Sequence, residues 1–270
     1  MKFSMLLPTL GSREEELIRL FDSLENQIHK NFEVIVVTQG NHEKVAEILL
    51  NYKFEYKHIP MEGRGIAIAR NIGLPHINGD VLAFADDDGW YDKEALQIVK
   101  EHIEKYDPDI VTFRHIDPYK NEYTRAYPES EILGFKKMDT LKQMSLDIYI
   151  NINRVPVYTD GFDERFGVGS KYNSGEENIY LMDLYNKGYK KMYYFPIIIA
   201  YHPKKECNYL DEQSFIGKGP LFKRLFGSII GLPMIIGFGL KKKNMIDEFS
   251  NGRFWDIYKK SITEFRQFKL

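Results

Sequence analysis

The chain has 270 residues, 43% hydrophobic and 28% charged, the balance of a folded α/β domain with room for a sizeable core and an appendage. A formal net charge of -2 excludes the global positive field that holds nucleic acid, so no nucleic-acid partner is expected. A single cysteine, Cys207, excludes an internal disulfide and a cysteine-based zinc centre.

One thiol also suits a reducing compartment. The start, Met1-Lys2-Phe3-Ser4, runs into strand-like residues without a cleavable leader pattern. The expected location is cytoplasmic, either free or peripheral on the inner face of the plasma membrane.

In chain order, residues 3–7 form a short apolar run ending at Pro8 and read as a buried strand. Residues 14–28 place apolar side chains at helical spacing, with Ser12 as the expected N-cap and acids in the first turn. Residues 32–37 are continuous and β-branched, a second buried strand. Residues 43–50 read as helix, 54–59 as extended, 65–72 as helix and 81–85 as another buried strand. Residues 93–106 are helical and 110–113 strand-like. Strands alternating with helices, with continuous apolar runs, imply a mostly parallel sheet covered on both faces. Ligands in such sheets bind at the carboxyl ends of the strands, so Thr38-Gln39 and Asp86-Asp87-Asp88 should border one cleft.

The second half is less regular. Residues 114–127 are polar and tyrosine-rich, consistent with a hairpin. Residues 162–175 form a glycine-rich loop, 176–186 a helix, and 190–200 a strand that Pro196 interrupts. Residues 221–240 are apolar and glycine-rich and end at Lys241, Lys242 and Lys243.

Asp86-Asp87-Asp88 is the strongest chemical signal. Three carboxylates after an apolar strand repel one another unless a cation sits among them, and a hard divalent cation such as Mg²⁺ takes one or two carboxylates plus phosphate oxygens. In an extended triplet the first and third residues point the same way, so Asp86 and Asp88 can share a metal. The plain alternative is a solvated acidic turn. Arg64 and Arg70, with Gly63 and Gly65 flanking the first, can hold a diphosphate and nucleoside; otherwise they belong to an ordinary glycine-started helix. Ser174-Gly175-Glu176-Glu177 has the form of a capping box and also supplies a carboxylate able to act as general base. His202, at a strand end, is either structural or a further metal or phosphate contact.

The order of these pieces resembles the inverting family-two glycosyltransferases with the GT-A fold, a Rossmann-like α/β sheet, from the first strand to about His202. The pieces are Leu7-Pro8-Thr9, Val34-Ile35-Val36-Val37, Gly65 to Gly73 with Ala69-Arg70-Asn71, Gly79 to Asp88, Gly161 to Gly167, and Gly175-Glu176-Glu177. The resemblance implies a metal, Mn²⁺ or Mg²⁺, at Asp86 and Asp88, with His202 near it. It implies a nucleotide bordered by Pro8, Thr9, Arg70 and Asp87, and a base at Glu177 beside Glu176. Relatives often carry an acidic pair after the second strand; here Thr38-Gln39-Gly40 stands there, and Gln39 can still bond a pyrimidine. Position 177 is Glu where the family has Asp.

The expected reaction is transfer of a sugar from a UDP- or dTDP-linked donor to a glycan or lipid-linked acceptor, with inversion, in cell-surface polysaccharide or lipid-linked glycan synthesis. The rivals are a sugar nucleotidyltransferase, which wants a more glycine-rich loop after the first strand, and a non-catalytic carbohydrate-binding protein on the same fold. Residues 1–212 are expected to form the transferase domain. Residues 213–270 are expected to form a helical extension close to the membrane, too interrupted by Pro233 and glycines to span it. The competing reading packs that extension on protein, in this chain or in an oligomer.

Overall fold

A computed structural model describes residues 1–156, 161–204 and 211–270; Cys207 lies outside the described residues. The strands are β1 (Phe3–Thr9), β2 (Phe32–Thr38), β3 (Glu55–Pro60), β4 (Val81–Phe84), β5 (Trp90–Tyr91), β6 (Ile110–Ile116), β7 (Ile132–Leu133), β8 (Ile148–Asn151) and β9 (Met192–Tyr201). They make one sheet in the order β3-β2-β1-β4-β8-β6-β9-β5, with β7 on β9. The pairs among the first four strands in that order are all parallel. β8 then enters antiparallel between β4 and β6.

Every residue of β1 and β2 is buried, which is why their sequences are continuous rather than alternating. Phe3, Met5 and Leu7 of β1 and Val34 and Val36 of β2 face a core completed by three helices. These are α1 (Glu14–Glu25), α2 (His42–Leu49) and α4 (Ala95–Tyr106). On the opposite face, α3 (Ile66–Gly73) brings Gly73 against Leu6 and Val37, where a side chain would collide. Pro8 sits beyond the last β1–β4 pair, Leu6 with Phe84, so its missing N–H costs that ladder nothing. The N-cap of α1 is Arg13, without a side-chain cap; the acids Glu14, Glu15 and Glu16 answer the helix dipole in place of the expected Ser12.

Pro196 does not end a strand. β9 runs through it, and the β6–β9 register passes from Thr112 with Tyr194 to Arg114 with Ile198. The extra residues bulge, which is where a sheet tolerates proline, and Arg114 Nη2 donates to the Pro196 carbonyl at 2.6 Å. The expected hairpin over 114–127 is shorter: β6 extends to Ile116, and Asp117 bridges Glu122.

The described chain falls into two compact units. One comprises Met1–Arg64, Ile68–Phe162 and Tyr180–Lys204 and holds the sheet. The other comprises Gly65–Ala67, Asp163–Ile179 and Lys205–Leu270. Compactness therefore groups 163–179 with the C-terminal segment. In this second unit α6 (Glu212–Ser250) leaves helical geometry at Gly227, with φ 71° and ψ -177°, a conformation open to glycine alone. α7 (Phe254–Gln267) packs on it through Phe215, Ile246, Phe254 and Ile257. Gly219 lies against the Ser261 backbone and Gly239 against Tyr258, so glycines here permit close helix contact. Residues 212–246 are nonetheless long and apolar enough, by composition, to cross a membrane. Ile229 is 88% exposed, and Ile230, Leu240 and Trp255 are more than half exposed.

At the amino ends of the sheet strands, the buried Glu33 accepts hydrogen bonds from Ser4 Oγ, Lys2 Nζ and the Asn78 N–H at 2.6–2.9 Å. Burial pushes the Glu33 carboxyl up, but these donors pull it further down, so it lies below its ordinary 4.5. A carboxylate with a depressed folded value stabilises the fold above the unfolded value and loses that contribution as pH falls through the folded one. Glu33→Gln should cost about 1.5–3 kcal/mol at pH 7. In urea titrations the gap to the unsubstituted protein should close as the pH drops below 4.5.

Candidate active site

β1, β2 and β4 deliver Thr9, Thr38 and the acidic triplet to one end of the sheet. The Gln39 N–H donates to the Thr9 carbonyl at 2.8 Å, so the two expected nucleotide positions are adjacent. Thr9 Oγ1 donates to Asp87 Oδ2 at 2.7 Å and accepts from the Gly11 N–H at 2.9 Å. Gly11 needs its positive φ of 63°, and a side chain there would strike Val45.

Three cationic or polar groups surround the carboxylates. Arg13 Nη1 donates to Asp87 Oδ1 at 3.1 Å and to Asp88 Oδ2. Arg70 Nη2 lies 3.7 Å from Asp86 Oδ1. His202 Nε2 meets Asp88 Oδ1 at 3.0 Å. Arg70 is wholly buried, its guanidinium 5.1 Å from the Phe84 ring centroid and 5.2 Å from that of Phe162. Its Nη2 also donates to Ser145 Oγ at 2.8 Å. A buried cation is tolerated only when paired and hydrogen-bonded in this way. Burial raises the Asp86 carboxyl; Arg70 and His202 lower it, and Asp88 and Asp87 raise it again. The net direction is upward, with burial the largest cause.

Among the described residues no three or more His, Cys, Asp or Glu are gathered into a ready metal cluster. The donor set still fits Mn²⁺ or Mg²⁺: carboxylate oxygens of Asp86 and Asp88, and an imidazole nitrogen already beside Asp88. Pro8 is buried in β1 and Arg64 is exposed.

Beside Gln39, Thr38 Oγ1 lies 2.6 Å from His42 Nδ1 and 2.9 Å from His58 Nε2. Burial, and then the neighbouring His42, hold His58 below its ordinary value. The two histidines are far apart in sequence, and only the parallel pairing of β2 and β3 gathers them. Arg13 carried a readable signal, a basic side chain just after the first strand.

Glu176 and Glu177 belong to the second unit, at the start of α5 (Glu176–Asn186). Glu176 is buried. Gly167 leaves it space: a Cβ there would stand 3.0 Å from the Glu176 carboxylate. Lys218 Nζ donates to Ser174 Oγ at 2.9 Å. Nearby, Asp163 is held by Arg165 at 2.7 Å and Arg224 at 3.0 Å, which ties the glycine-rich loop to α6. Lys218, set between glycines in an apolar stretch, is a second residue that pattern reading passes over.

Residues 4–155 match the model of the family described as Glycosyl transferase family 2. The chain is 30% identical over 113 residues to Glycosyltransferase GlyA of Streptococcus pneumoniae, covering 40% of this chain and 16% of that protein. It is 26% identical over 136 residues to the poly(ribitol-phosphate) beta-N-acetylglucosaminyltransferase TarS of Staphylococcus aureus, covering 48% of this chain and 23% of that protein. It thus spans less than a quarter of the length of either relative. The crystal structure of S. aureus TarS 1–349 in complex with UDP-GlcNAc superimposes with a TM-score of 0.63 at 18% identity, over 98% of this chain and 90% of that one. The UDP complex gives 0.64 at 17%, over 99% and 92%. At such identity the likeness establishes the fold, and it is the expected GT-A fold.

Burial disfavours the Lys218 ammonium more than Glu177 and Glu176 favour it, so its value lies below the ordinary 10.5. For a base shifted this way the unfolded chain binds the proton more tightly, and stability rises with pH up to that ordinary value. Lys218→Met keeps the stem and removes the charge. By calorimetry it should raise the unfolding midpoint at pH 7, because the desolvated charge is gone. The gain should shrink as pH approaches 10.5. A lower midpoint at pH 7 would mean that the bond to Ser174 outweighs the desolvation.

Proposed function

Because the chain belongs to glycosyl transferase family 2, we propose that it moves a sugar from a nucleotide diphosphate to an acceptor hydroxyl with inversion at the anomeric carbon. The observation that carries this reading is the acidic triplet at the end of β4, bonded to Thr9 of β1 and flanked by Arg13, Arg70 and His202.

Mn²⁺ or Mg²⁺ held by Asp86 and Asp88, with His202 beside them, would supply Lewis-acid stabilisation of the departing diphosphate. The chain's own groups do the rest. Arg70 is fixed by Ser145 and its aromatic walls and places a permanent charge at the site. Arg13, with a side chain 42% exposed, can turn from the carboxylates to a phosphate oxygen. Thr9, Gln39 and the Thr38–His42–His58 group offer hydrogen bonds to the nucleoside. Glu177 takes the acceptor proton as the hydroxyl attacks, with Glu176 the other candidate of the pair. A UDP-linked donor is favoured over a dTDP-linked one because a neighbour of this fold is described in complex with UDP-GlcNAc. The relative named for poly(ribitol-phosphate) supports a surface-polymer or lipid-linked acceptor. The family match speaks against a nucleotidyltransferase.

Two substitutions separate binding from chemistry. Glu177→Gln should bind UDP-GlcNAc as the unsubstituted protein does and lose ~10²–10⁴-fold in transfer. Asp88→Asn should lose metal-dependent UDP binding in calorimetry while its melting midpoint survives. Full transfer by Asp88→Asn in EDTA would defeat the metal assignment, and full transfer by Glu177→Gln would defeat the base. With metal and no acceptor, the unsubstituted protein should slowly hydrolyse the donor, which a pure binding module would not do.

Residues 1–212 are proposed to carry the transfer chemistry, at the cytosolic face of the membrane, and 213–270 to form an extension that braces residues 163–179. Exposed Ile229, Ile230, Leu240 and Trp255, with Lys241, Lys242 and Lys243 alongside, suit shallow attachment to anionic lipid. The full-length protein should float with phosphatidylserine vesicles and release in part at high salt. An Ile229→Glu/Ile230→Glu variant should stay in the soluble fraction; equal flotation of the two proteins would assign this face to protein packing.

A further inference from the structure

A single 3-10 turn, Ser145–Asp147, touches the surroundings of the acidic triplet by three routes. Ser145 Oγ accepts from Arg70 Nη2 at 2.8 Å, and that guanidinium lies 3.7 Å from Asp86. Leu146 lies under the residue that follows the triplet: a Cβ on Gly89 would stand 3.0 Å from Leu146 Cδ2. Asp147 Oδ1 is 2.8 Å from His115 Nδ1. The His115 ring centroid is 5.9 Å from that of His202, whose Nε2 meets Asp88.

His115 and Asp147 have no exposed side-chain surface. A buried carboxylate is expensive, and an apolar pair of like volume would ordinarily serve packing better. This one is fully engaged: Tyr127 O–H donates to Asp147 Oδ2 at 2.8 Å. With Nδ1–H given to Asp147, His115 Nε2 accepts from Thr124 Oγ1 at 2.5 Å. The network therefore also anchors the tyrosine-rich segment after β6.

We infer that the turn 145–147 is the positioning element of the donor site, three consecutive side chains fixing Arg70, Gly89 and, through His115, His202 around Asp86-Asp87-Asp88. None of the three needs to touch substrate. The inference rests on the reading of the triplet as the nucleotide-diphosphate site, and the experiment keeps the two apart.

Calorimetric titration with UDP in Mn²⁺ should be run on the unsubstituted protein, Ser145→Ala, Ser145→Thr and Asp147→Asn, each with its thermal midpoint. Ser145→Ala should keep its midpoint within a few degrees and weaken UDP binding about tenfold, the scale of one lost hydrogen bond to a charged group. Ser145→Thr, which retains the hydroxyl, should restore most of it. Asp147→Asn should weaken UDP binding similarly; if it fails to fold, the Ser145 pair decides. If the unsubstituted protein binds no UDP, the donor-site reading falls. If it binds and Ser145→Ala binds equally, with only a lowered midpoint, the turn is structural and the inference is overturned.

Discussion

Three carboxylates in a row at the end of a buried strand are a standing electrostatic load, and much of the surrounding structure answers to it. In water adjacent aspartates are screened; against a sheet edge they are partly stripped of solvent and their repulsion grows. The protein answers with Arg13 from the loop after β1, Arg70 from α3 and His202 from the end of β9. Each comes from a different element, so the load can be balanced only when the sheet, the helix and the last strand are all in place. A site held in this way is pre-organised by folding itself, which is where electrostatic catalysis gains most.

Burial is the first cause of the raised Asp86 carboxyl, and Arg70 and His202 offset it only in part. Lys218 tells the same story with opposite sign in the second unit, a cation kept where burial opposes its charge.

Much of this was legible in the sequence. Continuous β-branched runs announced the buried parallel strands, and Asp86-Asp87-Asp88 after one of them marked the sheet end where Arg13, Arg70 and His202 gather. β8 was not legible: Ile148–Asn151 is four residues long, and its antiparallel insertion between β4 and β6 is decided by tertiary pairing, not by local pattern. Arg13 stood in a loop whose scarcity of glycine drew attention away from its charge. Ser145 and Asp147 were invisible because their partners lie 75 and 32 residues away. The glycines of the C-terminal segment looked like interruptions of a lipid-facing helix; Gly219 and Gly239 instead admit neighbouring helix atoms.

The bulge around Pro196 bears on how the chain tolerates changes of length. β9 carries His202 just beyond its last residue, Tyr201, and its side chains alternate between the faces of the sheet. Losing or gaining one residue between Tyr194 and Ile198 would shift the strand's phase, turning each later side chain to the opposite face and carrying His202 away from Asp88. The segment after β6 is pinned differently, by Thr124 and Tyr127 bonded to His115 and Asp147 and by β7 paired with β9. At Pro196 the residue count itself is part of what sets His202 beside Asp88.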